Sequence, residues 1–181
     1  MPIQEDGNMQ NPLILTLVGK DRTGLIRSLS QLIADNGGNW LESRMCRLGG
    51  EFAGIVRIHL PADREKILTD ALHSLRSEGL TASIHPDAKT NRTESTKSAS
   101  LSLVGQDRPG ILYQISAALA HQNINVEELE TECSSAPMSG EMIFTAMAKL
   151  QIPESCALKE LRKELEEIGS ELMVEISFTE A

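Results

Sequence analysis

The sequence predicts an α+β protein made of two copies of one β-α-β-β-α-β unit, and three observations carry that expectation. Leu17-Val18-Gly19-Lys20-Asp21-Arg22-Thr23-Gly24-Leu25 matches Leu103-Val104-Gly105-Gln106-Asp107-Arg108-Pro109-Gly110-Ile111, with six of nine positions identical. Stretches of alternating apolar residues and stretches of helical spacing follow in the same order in both halves. Between the halves, His85 to Ser98 is polar, rich in Thr and Ser, and free of Leu, Ile, Val and Phe. Such a composition buries too little surface to fold, so it reads as a linker. The expected organisation is a first domain over 11–85, a linker over 86–98 and a second domain over 99–179.

In the first copy, Leu13, Leu15 and Leu17 alternate with Ile14, Thr16 and Val18, as in a strand buried on one face and half-buried on the other. After the Gly-Lys-Asp-Arg-Thr-Gly turn, Leu25, Ile26, Leu29, Leu32 and Ile33 recur at helical spacing. Asn36-Gly37-Gly38 stops that helix. Trp40 to Leu48 and Phe52 to Leu60 read as a hairpin joined at Gly49-Gly50. Pro61 is placed to open the next helix, with Ile67, Leu68, Ala71, Leu72 and Leu75 as its inner face. Gly79 ends it, and Leu80 to Ile84 is a final short strand.

The second copy repeats the order, with Ile111, Leu112, Ile115 and Leu119 on one helix and Leu158, Leu161, Leu165 and Ile168 on the other. The offset is 86 residues as far as Asn39 and Asn125, then 92, where Phe52, Pro61 and Leu80 meet Phe144, Pro153 and Leu172. Six extra residues are therefore expected near Ser134 to Gly140. This is the split βαβ order of the ferredoxin-like class: an antiparallel four-stranded sheet with both helices on one face. Units of about 75 residues have small cores, so the copies are expected to support each other through sheet edges or helices.

Composition narrows the function. The chain has 181 residues, 40% hydrophobic and 24% charged, which suits a packed core. No apolar run reaches the ~18 residues of a membrane span, and Met1–Gln10 lacks the pattern of a signal peptide, so a cytoplasmic location is expected. A net charge of −9 and five aromatic residues argue against direct nucleic-acid binding. Residues 1–90 hold 10 basic and 11 acidic side chains, whereas 91–181 hold 7 and 15. That imbalance suits either solubility or a docking face for a basic partner. Cys46, Cys133 and Cys156 have neither disulfide nor zinc spacing, and His59, His73, His85 and His121 are scattered. Neither a metal nor another cofactor is expected. No P-loop or nucleophile–base arrangement is present in the sequence, so an enzyme is not expected. Glu127, Glu128, Glu130 and Glu132 read as a wet strand edge that discourages further pairing.

The duplicated Gly-x-Asp-Arg-x-Gly turn carries the chemistry. A helix N-terminus exposes N–H donors and partial positive charge, and glycines let a small carboxylate approach the main chain. Asp21 and Asp107 can receive an ammonium group or cap the helix, and Arg22 and Arg108 can grip a carboxylate. Pro109 suits a first helical turn. The same turn also serves as a plain strand-to-helix connection, with Asp as N-cap and Arg paired to a nearby acid.

The motif resembles that of the ACT domain, a small-molecule sensing module that typically binds amino acids. Two such units without a catalytic domain resemble the glycine cleavage system transcriptional repressor family, a comparison also carried by Asn39, Glu42-Ser43-Arg44 and Leu48-Gly49-Gly50-Glu51-Phe52. The resemblance implies a regulator that binds glycine or a similar amino acid and acts on a protein partner such as a transcriptional activator. It places the ligand at Gly19, Asp21, Arg22, Thr23, Gly24 and Leu25, and at Gly105, Asp107, Arg108, Pro109, Gly110 and Ile111. In ACT units Asn39 and Asn125 would face the turn across a cleft. Gly37-Gly38, standing where the second copy has Asn123-Ile124, would make the first pocket more open. The alternative is a ligand-free assembly module that forms homo-oligomers through its sheets or helices.

Overall fold

Alternation puts Leu13, Leu15 and Leu17 on one face of β1 (Gln10–Lys20), where all three are buried. In the computed structural model, which describes residues 10–88, 96–137 and 139–180, β1 begins the first of two units, divided between residues 90 and 91. The rest of that unit is α1 (Leu25–Asp35), β2 (Asn39–Leu48), β3 (Glu51–Pro61), α2 (Glu65–Ser74) and β4 (Leu80–Pro86). The second unit comprises β5 (Thr96–Gln106), α3 (Ile111–His121), β6 (Asn125–Ser135), β7 (Met142–Pro153), α4 (Leu158–Leu172) and β8 (Val174–Glu180). Part of the expected linker, residues 89–95, lies outside the described residues.

Each unit holds an antiparallel four-stranded sheet, ordered β2-β3-β1-β4 and β6-β7-β5-β8. Leu25, Leu29 and Ile33 of α1 and Leu68 and Leu72 of α2 pack on the same sheet face, against Leu15, Val56, Ile58 and Leu60. The second core repeats this with Ile111, Ile115, Leu161 and Leu165 against Leu101, Leu103 and Leu150. The two-copy ferredoxin-like architecture is therefore as the pattern predicts. Burial of an aliphatic side chain stabilises by about 1.5–3 kcal/mol, so these leucines and isoleucines dominate the energetics of each unit.

Details differ from the expectation where helical phase or chain length decides. Ile67 and Ile26 are 48% and 44% exposed, because each points about 100° away from the buried leucine beside it. Leu112 is exposed for the same reason. Pro61 closes β3 instead of opening α2; a 3-10 turn, Ala62–Arg64, intervenes. Leu80 corresponds to Val174 and not to Leu172, since these two lie opposite Gly19 and Gly105. The two additional residues are taken up around α4, which runs unbroken for 15 residues where α2 gives way to a 3-10 turn at Leu75. The six-residue insertion falls in the β6–β7 connection, where Ser135 pairs with Met142; Met138 lies outside the described residues.

Candidate functional site

The two duplicated turns adopt the same backbone. Gly24 is the residue before α1, with φ 94° and ψ 0°, and Gly110 precedes α3 with φ 95° and ψ −6°. That left-handed conformation strongly favours glycine, and open space surrounds both Cα atoms. The carbonyls of Gly24 and Gly110 accept the first helical hydrogen bonds, from the N–H groups of Ser28 and Gln114. Neither helix has a side-chain cap or an acidic residue in its first turn. Pro109 therefore lies just before the N-cap, not in the helix. Each turn is clipped to its hairpin: the Asp21 N–H donates to the Gly50 carbonyl at 2.9 Å, and the Asp107 N–H to that of Met142 at 2.8 Å.

The opening glycine of each motif answers to a different cause. A Cβ on Gly19 would lie 2.2 Å from the Gly79 carbonyl oxygen, and one on Gly105 would lie 2.4 Å from Val174 Cγ1. Those glycines admit the neighbouring edge strand. Thr23 and Pro109 are exposed, whereas the side chains of Leu25 and Ile111 belong to the cores and offer only their backbone N–H to the turn.

Charge separates the two copies. Asp21 is not a helix cap; its Oδ2 pairs with Arg47 Nε at 2.6 Å. Arg22 pairs with Glu78, beside the end of α2. In the second unit Arg47 is replaced by Cys133 and Glu78 by Leu172, so neither ion pair can form. Asp107 interacts with the Cys133 thiol, whose pKa is raised by desolvation and by Asp107, as a negative charge and as a hydrogen-bond partner. Arg108 makes a long 3.3 Å bond from Nη2 to Gln106 Oε1. Among the described residues, Asp107 has no cationic partner and Arg108 no carboxylate partner. The second turn thus offers a carboxylate, a guanidinium and an uncapped helix start within five residues of chain, Asp107 to Ile111.

The matches with known proteins agree with this architecture. Models of the ACT domain match residues 11–85 and 99–168. The chain belongs to the ACT-domain family. Over nearly its whole length it resembles the crystal structure of an unknown protein from Galdieria sulphuraria, with 29% identity, a TM-score of 0.85, and coverage of 96% of this chain and 99% of that one. It is also similar in fold to a candidate glycine cleavage system transcriptional repressor, at 19% identity and a TM-score of 0.68, covering 96% of this chain and 98% of the other. No curated protein sequence matches the chain significantly.

The two asparagines do not join the turn of their own ACT unit. Asn39 lies opposite His59, which in turn lies opposite Pro12, seven residues along β1 from Gly19. Asn125 lies opposite Gln151, which lies opposite Ser98, equally far from Gly105. Seven strand residues span about 23 Å. Gly37 and Asn123 share a positive φ at that remote end, of 72° and 54°. The space a side chain on Gly38 would need is filled by Ile33 and Leu60, and Ile124 is buried. The exchange of Gly37-Gly38 for Asn123-Ile124 therefore leaves the turn unchanged.

A feature that the motif reading overlooked is an apolar cavity of about 190 Å³ between α3 and the sheet of the second ACT unit. Its signal was present in the repeat, where Trp40 and Val56 of the first copy align with Val126 and Ala148 of the second, two residues that line the cavity. Among the described residues no His, Cys, Asp and Glu side chains gather as a metal would require. No described helix is long and apolar enough to cross a membrane.

Proposed function

We propose that this tandem ACT protein is a regulator that binds a small amino acid at the β5–α3 turn and passes the signal to a protein partner. Asp107 and Arg108 carry the reading: they are two opposite charges without counter-ions among the described residues, placed at an uncapped helix start. Asp107 would receive the ligand's ammonium group, while Arg108 and the first N–H groups of α3 would hold its carboxylate. The corresponding turn of the first unit is the weaker site, because Arg47 and Glu78 already neutralise Asp21 and Arg22. A tight turn over exposed backbone suits a ligand with little or no side chain, which favours glycine. The fold shared with a candidate glycine cleavage system transcriptional repressor supports a role in transcription. The acidic second half favours a basic protein surface as partner over DNA itself.

Calorimetry of the full chain against glycine, alanine, serine and larger amino acids tests this reading. Heat with one-site saturation is expected for glycine or a close relative. Loss of a charge-assisted hydrogen bond costs about 1.5–3 kcal/mol, so Arg108→Ala should weaken binding roughly 10- to 100-fold. Absence of heat for every amino acid, with an unchanged melting temperature, would refute it.

A further inference from the structure

The internal duplication supplies its own control for the apolar cavity of the second ACT unit. Trp40 lies opposite Ile58 and Met45 opposite Gly54, and both side chains pack against the first core. Met45 comes so close that its Cγ would lie 2.6 Å from a Cβ on Gly54. Together with Val56, these side chains fill the ground between α1 and the edge strand. The same ladder positions in the second unit carry Val126 opposite Leu150, Thr131 opposite Ala146, and Ala148 opposite Leu101. Every residue of β6 is exposed, so that edge strand contributes nothing to the buried core. Trp40 to Val126 and Val56 to Ala148 are truncations at positions that line about 190 Å³ of space, of which Ser43 to Leu129 and Gly54 to Ala146 restore only part.

We propose that this cavity binds a small neutral aromatic molecule, the size of an indole or a substituted benzene, in the place that Trp40 fills in the first unit. The lining selects this class. It contains no charged side chain, so a zwitterion or carboxylate would be buried without a partner at severe cost. An apolar cavity of this size stays dry and admits benzene-sized molecules. Its single hydroxyl, Ser116, already donates to the Tyr113 carbonyl at 3.0 Å and keeps lone pairs for a ring N–H. Leu112, Val126 and Leu129 are 39%, 37% and 46% exposed, and the opening between α3 and β6 that they flank is the route of entry. Glycine binding at the turn does not need this cavity, so the two sites stand or fall separately.

Methyl-labelled full-length protein titrated with indole, with toluene as a second probe, tests the proposal by carbon–proton correlation spectra. Saturable shifts are expected in the methyl groups of Ile111, Ile115 and Leu119, while their counterparts Leu25, Leu29 and Ile33 stay in place. Ala148→Val, which restores the first unit's residue, should weaken indole binding about tenfold, equivalent to about 1.4 kcal/mol. Val126→Trp should abolish it and raise the melting temperature by filling the void. If Val126→Trp fails to fold, the Ala148→Val comparison decides. No saturable shift at the solubility limit of indole, equal shifts in both units, or unchanged affinity in Ala148→Val would each overturn the assignment.

Discussion

Asp107 and Cys133 show how one substitution redirects a conserved geometry within a single chain. Where the first unit has Arg47, an aspartate finds a cation at 2.6 Å; where the second has Cys133, it meets a thiol. Desolvation does most to raise the Cys133 pKa, and the aspartate raises it further because ionising the thiol would put two negative charges side by side. Removing that charge in Asp107→Asn should lower the Cys133 pKa and speed its alkylation at mildly alkaline pH, as read by peptide mass spectrometry with Cys46 as the internal reference. An unchanged rate would show that the two groups do not interact in solution. A ligand ammonium seated on Asp107 should act in the same direction, so glycine would also accelerate alkylation if it occupies this turn. Arg22→Ala should alter amino-acid binding much less than Arg108→Ala, since the Arg22–Glu78 pair is half exposed and contributes about 1 kcal/mol at most.

At the scale of elements, the motif Gly-x-Asp-Arg-x-Gly divides into two glycines with separate duties. The first lets β4 or β8 approach β1 or β5; the second holds a left-handed turn before the helix. Gly19→Ala should therefore cost about 1–3 kcal/mol from crowding against the Gly79 backbone. Gly24→Ala, which meets open space, should cost about 1–2 kcal/mol from its positive φ alone. Urea denaturation measures both losses, and an unchanged stability in either variant would contradict this division. The order of the elements was legible in the sequence because periods of 2 and 3.6 residues are local properties. The placement of Asn39 was not, because strand register is settled by pairing partners distant in the chain. The place of Pro109 before the helix, and the choice between cap and ligand group left open for Asp21, were hidden for a related reason: whether a residue caps a helix depends on the turn's dihedral angles and on competing partners such as Arg47.

For the whole molecule, two separate cores divide the stability, with no buried residue shared between the two clusters among the described residues. Leu165→Ala should cost about 2–5 kcal/mol and raise amide exchange first across β5 to β8, with β1 to β4 less affected. Uniform loss of protection would show that the units unfold as one. The sequence by itself determined the duplication, the element order, the burial stripe of most helices and the two turns, because each is written in residues close together along the chain. Only the tertiary structure decided which charges in those turns are already paired, that the asparagines stand at the far end of the sheet, and that a cavity replaces Trp40. Those outcomes depend on what the pleated sheet brings opposite each side chain, and on volume left unfilled when large residues give way to small ones.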